Sequence, residues 1–188
     1  MDRAEESVMS KPAIDRRYSA FSIGLHWLMV LLFIAVYATI ELREFFPKGS
    51  APRTSLKEWH YLLAISIFVL AWIRLAARTI SPPLANDGAA GLFAKVVHLG
   101  LYGLMIGMPI AGWLILSGEG KSFSVFGLEL PPLAAPNDVL ADTAEEVHEV
   151  VGTLGYYLIG LHTVAALAHH YILRDGVLAR MLPSRARV

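Results

Sequence analysis

Histidine is the residue type whose placement in this chain points to chemistry. Four of the seven histidines fall in one apolar stretch, Glu146 to Tyr171, which reads EVHEVVGTLGYYLIGLHTVAALAHHY. The interval from His148 to His162 carries the most information. At about 1.5 Å rise and about 100° of turn per residue, a helix sets these two imidazoles roughly 21 Å apart along its axis and some 40° apart around it. One face therefore presents two histidines at two depths. In a membrane helix such side chains are costly and mark a functional site by default. With no cysteine in the chain, disulfides, thiolate haem ligation and cysteine-held iron–sulfur clusters are excluded, and histidine is the leading metal ligand.

Each of these histidines has a counterpart elsewhere. His60 and His148 each stand near the start of an apolar segment that enters the membrane from the outer face, so both lie about one turn below that face and can form an axial pair there. His26 and His162 lie in the other half of the membrane and can form a second pair. Two imidazoles from facing helices suit a six-coordinate b-type haem, and the core of a helix bundle is a usual place for it. Zinc fits less well, because its sites gather three or four ligands at one level. His98 lies at the depth of His26 and has three readings: a ligand in place of His26, a quinone contact, or a partner for a haem propionate. His169 and His170 sit at the membrane interface, as solvated side chains or as quinone or propionate contacts. Arg74 either snorkels to the interface or pairs with a propionate.

The elements that must position these residues are four membrane helices, near 20–42, 58–78, 93–117 and 147–172. Each is about as long as a bilayer crossing needs. A chain of 188 residues that is 55% hydrophobic and 17% charged is one domain and too apolar for an ordinary soluble one. The expected fold class is all-α, a transmembrane four-helix bundle. Sixteen acidic residues balance sixteen basic ones, so no basic field recommends nucleic acid as a partner. The first twenty residues mix both charges and read as no cleavable signal peptide. Gly100, Gly103, Gly107 and Gly112 thin the third helix for close approach by a neighbour or a flat cofactor, and Pro109 should kink it. Thr143-Ala-Glu-Glu146 has the form of a capping box that starts the fourth helix. Trp27, Trp59, Trp72 and Trp113 fit interfacial belts.

Lys and Arg collect on one side: Arg3, Lys11, Arg16, Arg17, Arg74, Arg78, Lys95, Arg174, Arg180, Arg185 and Arg187. By the positive-inside rule both termini are cytoplasmic. Arg43, Lys48, Arg53, Lys57 and Lys121 remain for the outer loops, where acidic residues outnumber them. Steering of an anion to that face requires the two signs to be segregated in space.

The residues SIGLHWL (Ser22–Leu28), ELREFFP (Glu41–Pro47), WHYLLAISIFVL (Trp59–Leu70), HLGLYGLM (His98–Met105), FGLELP (Phe126–Pro131) and LGYYLIGLHTVAALAHHY (Leu154–Tyr171) resemble the bacterial cytochrome b561 family. These are small four-helix dihaem cytochromes of the inner membrane, and the resemblance runs from about Tyr18 to Pro183. It implies His26 and His162 as ligands of an inner haem b, His60 and His148 as ligands of an outer one, and ubiquinone as acceptor. The members it is most similar to oxidise superoxide at the periplasmic face and reduce ubiquinone, an activity that requires no protein partner. The other reading is an electron-carrier cytochrome b subunit of a larger dehydrogenase or hydrogenase, without superoxide chemistry of its own.

Overall fold

The computed structural model describes residues 18–80 and 89–182. The basic residues Arg3, Lys11, Arg16, Arg17, Arg185 and Arg187 lie outside them. Four long helices account for most of the rest: α1 Ala20–Arg43, α2 Ala51–Ile80, α3 Ala89–Gly118 and α4 Asp138–Ala168. All four are long and apolar enough to cross a membrane. They carry large apolar side chains on their outer surfaces, among them Leu31, Ile34, Leu99, Tyr157 and Val164. Such faces suit contact with lipid tails rather than with water.

Two of the helices, α1 and α4, start at a side-chain cap. The Ser19 side chain accepts a hydrogen bond from Ser22 N at 3.2 Å, and Asn137 Oδ1 accepts one from Leu140 N at 3.0 Å. The second cap corrects an expectation. The Thr143 to Glu146 box does not open α4, which begins at Asp138, and Thr143 Oγ1 instead donates to Val139 O within the helix. Asn137 with Asp138 behind it is a competent N-terminus one turn and more earlier, and a polar stretch can stay helical beyond the apolar span. α2 likewise begins at Ala51 rather than near residue 58, so His60 lies well inside its helix. Pro109 sits within a continuous α3.

The helices approach closely as α1 with α2, α3 with α4 and, less extensively, α2 with α3. A small core of Met29, Val36, Ile67, Ala71 and Met105 holds α1, α2 and α3 together. α1 and α4 meet mainly through long side chains, which leaves space between the helix pairs. Between α3 and α4 lies a short hairpin, β1 Ser124–Val125 with β2 Leu128–Glu129, that the sequence reading did not foresee. Its turn residues Phe126 and Gly127 both have positive φ, 53° and 81°, as a tight two-residue hairpin requires.

The end of the bundle that carries the α1–α2 connection and this hairpin corresponds to the outer end of the orientation expected from the Lys and Arg distribution. At the inner end α4 runs on as a π-helical turn, His169–Leu173, and stops at Arg174 in the left-handed region with φ 52°. The chain then hooks back beneath α1, where Trp27 Nε1 donates to Met181 O at 2.8 Å. The described chain thus enters and leaves at the same end.

Candidate functional site: two histidine pairs at two depths

At the outer level α2 contributes His60 and α4 contributes His148, with ring centres 6.3 Å apart and planes at 68°. His60 Nδ1 lies 3.1 Å from Val36 O. A carbonyl only accepts, so this nitrogen carries the proton and Nε2 keeps its lone pair for a metal. Thr39 Oγ1 donates to the same carbonyl at 2.7 Å and lies 3.4 Å from His60 Nδ1. The His148 ring rests against α3 where Gly112 leaves room for it, since a Cβ there would stand 3.4 Å from His148 Cε1. Its Nδ1 is buried without a well-formed hydrogen bond. The two imidazoles face a cavity of about 450 Å³ whose walls include Val36, Ala64, Met108 and Gly112.

At the inner level the ring centres of His26 on α1 and His162 on α4 are again 6.3 Å apart, with planes at 73°. Two imidazoles on one metal need about 2 Å for each metal–nitrogen bond and roughly 1 Å more from each nitrogen to its ring centre, about 6 Å in all. Both pairs meet that requirement. His98 stands closer to His162, at 5.4 Å between centres, and its Nδ1 is bound to Ala94 O at 2.5 Å. It flanks the inner pair at a separation shorter than a shared metal needs. Among the described residues no group of three or more possible ligands gathers in the way zinc requires. The paired imidazoles, the free Nε2 of His60 and the adjoining cavity fit a flat, six-coordinate iron cofactor.

Arg74 reaches the inner level from α2. Its guanidinium lies 3.5 Å from Ser22 O and 3.4 Å from His26 Nδ1. His169 is held away from the inner pair: its Nδ1 and Asp175 Oδ2 are 2.5 Å apart. Burial works to raise the Asp175 pKa, but the bond to His169 and the backbone N–H of Val177 outweigh it and leave the carboxyl below its ordinary value. His170 packs edge-on against Tyr171, at 4.7 Å.

Between the two levels α1 and α4 are joined by a tyrosine pair that the sequence reading did not single out. Tyr37 and Tyr156 have ring centres 4.3 Å apart. The Tyr37 hydroxyl donates to Gly152 O at 2.9 Å, and the Tyr156 hydroxyl donates to Glu41 Oε1 at 2.6 Å. Gly155 is buried beneath Tyr37, whose hydroxyl would collide with any Cβ there.

Next to the outer cavity lies a groove lined by Arg43, Lys48, Arg53, Lys57 and Lys121, with Glu58 the acidic residue among its walls. The signs are therefore segregated, although by count the outer loops are acidic. Arg43 and Arg53 share Glu44, whose carboxyl their hydrogen bonds hold below its usual pKa. Lys121 pairs with Glu119 at 3.0 Å. Lys48 and Lys57 have no carboxylate partner among the described residues. Tyr61 and Phe123, 5.8 Å apart between ring centres, stand between groove and cavity.

A family model for prokaryotic cytochrome b561 matches residues 17–184. The chain belongs to the prokaryotic cytochrome b561 family. As a member it is a multi-pass membrane electron carrier, and membership implies b-type haem. It is 37% identical over 174 residues to a probable superoxide oxidase, CybB, of Yersinia pestis, an alignment that spans 92% of this chain and 99% of that one. Two proteins of Escherichia coli K12 are also similar. Cytochrome b561 homolog 1 is 36% identical over 90% of this chain and 98% of its own length. Cytochrome b561 homolog 2 is 30% identical over 93% and 95%. The match extends over all four helices, so this cytochrome's histidine levels lie within the aligned region.

Proposed function

We propose that this cytochrome b561 is a superoxide:ubiquinone oxidoreductase of the bacterial inner membrane, with both termini in the cytoplasm. His60 and His148 would hold one haem b near the outer face, and His26 and His162 a second near the inner face. The observation that carries this reading is the repeated 6.3 Å separation of the two imidazole pairs, with a basic groove opening beside the outer one. When bound, haem supplies a one-electron couple at each level.

The groove draws an anion to the outer face. Lys48 and Lys57, the cations there without a carboxylate partner, contribute most to that field. Superoxide gives up one electron and leaves as dioxygen. Two such electrons and two protons convert one ubiquinone to ubiquinol. At the inner end His98 and Arg74 flank the inner pair, and His169, hydrogen-bonded to Asp175 at the surface, is placed to relay protons from the cytoplasm; His170 is a further contact. The similarity to a probable superoxide oxidase supports the choice of donor.

The test is a pyridine haemochrome assay and a reduced-minus-oxidised spectrum of the purified protein. Two b-type haems per chain are expected; a protein without a reduced α-band would end the proposal.

A further inference from the structure

Resting on that two-haem reading, we infer that the chain's own charges bias an electron toward the inner site, with Arg74 the chief positioning residue. Three sets of observations agree in sign.

The inner level is cationic. Arg74 lies 3.4 Å from His26 Nδ1, beside the ring of His162 and its neighbour His98, and Arg78 lies four residues further along α2, over the Tyr102 ring. None of the four ion pairs among the described residues involves either arginine. Reducing a ferric haem adds one negative charge, which neighbouring cations stabilise. Inside a membrane protein such charges are weakly screened.

The outer level is anionic. Four carboxylates, Glu41, Glu119, Glu145 and Glu149, line the outer cavity against Arg43 and Lys57. Arg43 is itself paired with Glu44, and Glu119 with Lys121. Lys48 lines the groove and not this cavity, and solvent weakens the field of the exposed carboxylates as it does that of Lys48. The carboxylates oppose the added charge.

The neighbours of the two Nδ1 atoms point the same way. His60 Nδ1–H donates to Val36 O, which makes the ring more basic and favours ferric iron. His26 Nδ1 has no carbonyl partner; its neighbour is the Arg74 guanidinium at 3.4 Å, which like the Nδ1–H of a ring ligating through Nε2 is a donor, so no hydrogen bond makes that ring more basic. An electron taken up at the outer face is thereby drawn inward, away from the dioxygen it has just left.

Spectroelectrochemical titration of the purified holoprotein tests this, with the outer haem identified as the one lost in His148→Ala. Arg74→Gln should shift the inner haem's reduction equilibrium about tenfold toward the oxidised form, equivalent to 59 mV for a one-electron couple, with the outer haem unmoved. Arg74→Lys, which keeps the charge, should stay near the wild type. Glu149→Gln should move the outer haem toward reduction. Unchanged or equally shifted midpoints in Arg74→Gln would overturn the inference. Should that variant lose its inner haem, the Glu149→Gln result decides: an outer midpoint that fails to rise is equally fatal. A protein with no haem contradicts the proposed function itself, whereas two haems with indifferent midpoints contradict only the charge bias.

Discussion

His60 and His148 face each other across the outer cavity with ring centres 6.3 Å apart, the separation that also divides His26 from His162 one level below. Neither pair is close in sequence, and each joins α4 to a different helix. The equality of the two distances is what a repeated axial geometry would produce.

Replacing either α4 histidine should therefore remove one haem and leave the other. His148→Ala and His162→Ala should each retain half the wild-type haem per chain, measured as pyridine haemochrome. His98→Ala should keep both, because His98 approaches His162 more closely than a shared iron allows. Loss of a haem in His98→Ala would move the inner ligand from His26 to His98.

The contact of Tyr37 with Gly155 makes a stability prediction. Gly155→Ala puts a methyl against the Tyr37 hydroxyl, which its bond to Gly152 O and its packing on Tyr156 hold in place. Overpacking of this kind costs about 1–3 kcal/mol. Tyr37→Phe alone should cost about 1 kcal/mol for the lost hydrogen bond. In the double variant the clash is gone, so the two costs should fall well short of additive in thermal melts of the detergent-solubilised protein.

The groove predicts a charge effect on rate. Lys48→Gln and Lys57→Gln should each slow the reaction with superoxide by about threefold, and the wild-type rate should fall as salt rises. Haem content should not change. A rate indifferent to both substitutions and to ionic strength would remove the groove from the reaction.

At the inner end the bond between His169 and Asp175 sets a pH dependence. The hydrogen bonds from His169 and Val177 N–H hold the Asp175 carboxyl below its ordinary pKa in the fold, so the folded state stabilises the ionised form. That stabilisation is complete above the unfolded value and is lost as pH falls through the folded one. The hook beneath α1 should loosen in acid below about pH 4, reported by the fluorescence of Trp27, which is bonded to Met181 O. Asp175→Asn should abolish the acid step.

The histidine levels were legible in the sequence because helical periodicity fixes azimuth and rise, and because apolar spans fix depth. His148 and His162 needed nothing more, and His26 and His60 followed from matching depth. Other features depend on contacts that no periodicity encodes. Arg43, Lys57 and Lys121 become neighbours only when the loops fold over the outer end, so a count of charges states the condition for a basic groove without locating it. Gly155 carries no signal of its own in the apolar run of α4, and its role beneath Tyr37 depends on the placement of α1. The start of α4 was misplaced because Thr143 and Glu146 satisfy the capping pattern while Asn137 caps the helix earlier. The pair Phe126–Gly127 marks a hairpin turn that the dominance of helices elsewhere concealed.

Superoxide oxidation coupled to ubiquinone is the central claim, and stopped-flow mixing of the oxidised cytochrome with superoxide tests it most directly. The haem spectrum should become reduced within the mixing reaction, dioxygen should be released, and added ubiquinone should reoxidise the haems with one quinol formed for every two superoxide ions consumed. Haems that remain oxidised when superoxide is added, in a protein that dithionite reduces fully, would contradict it.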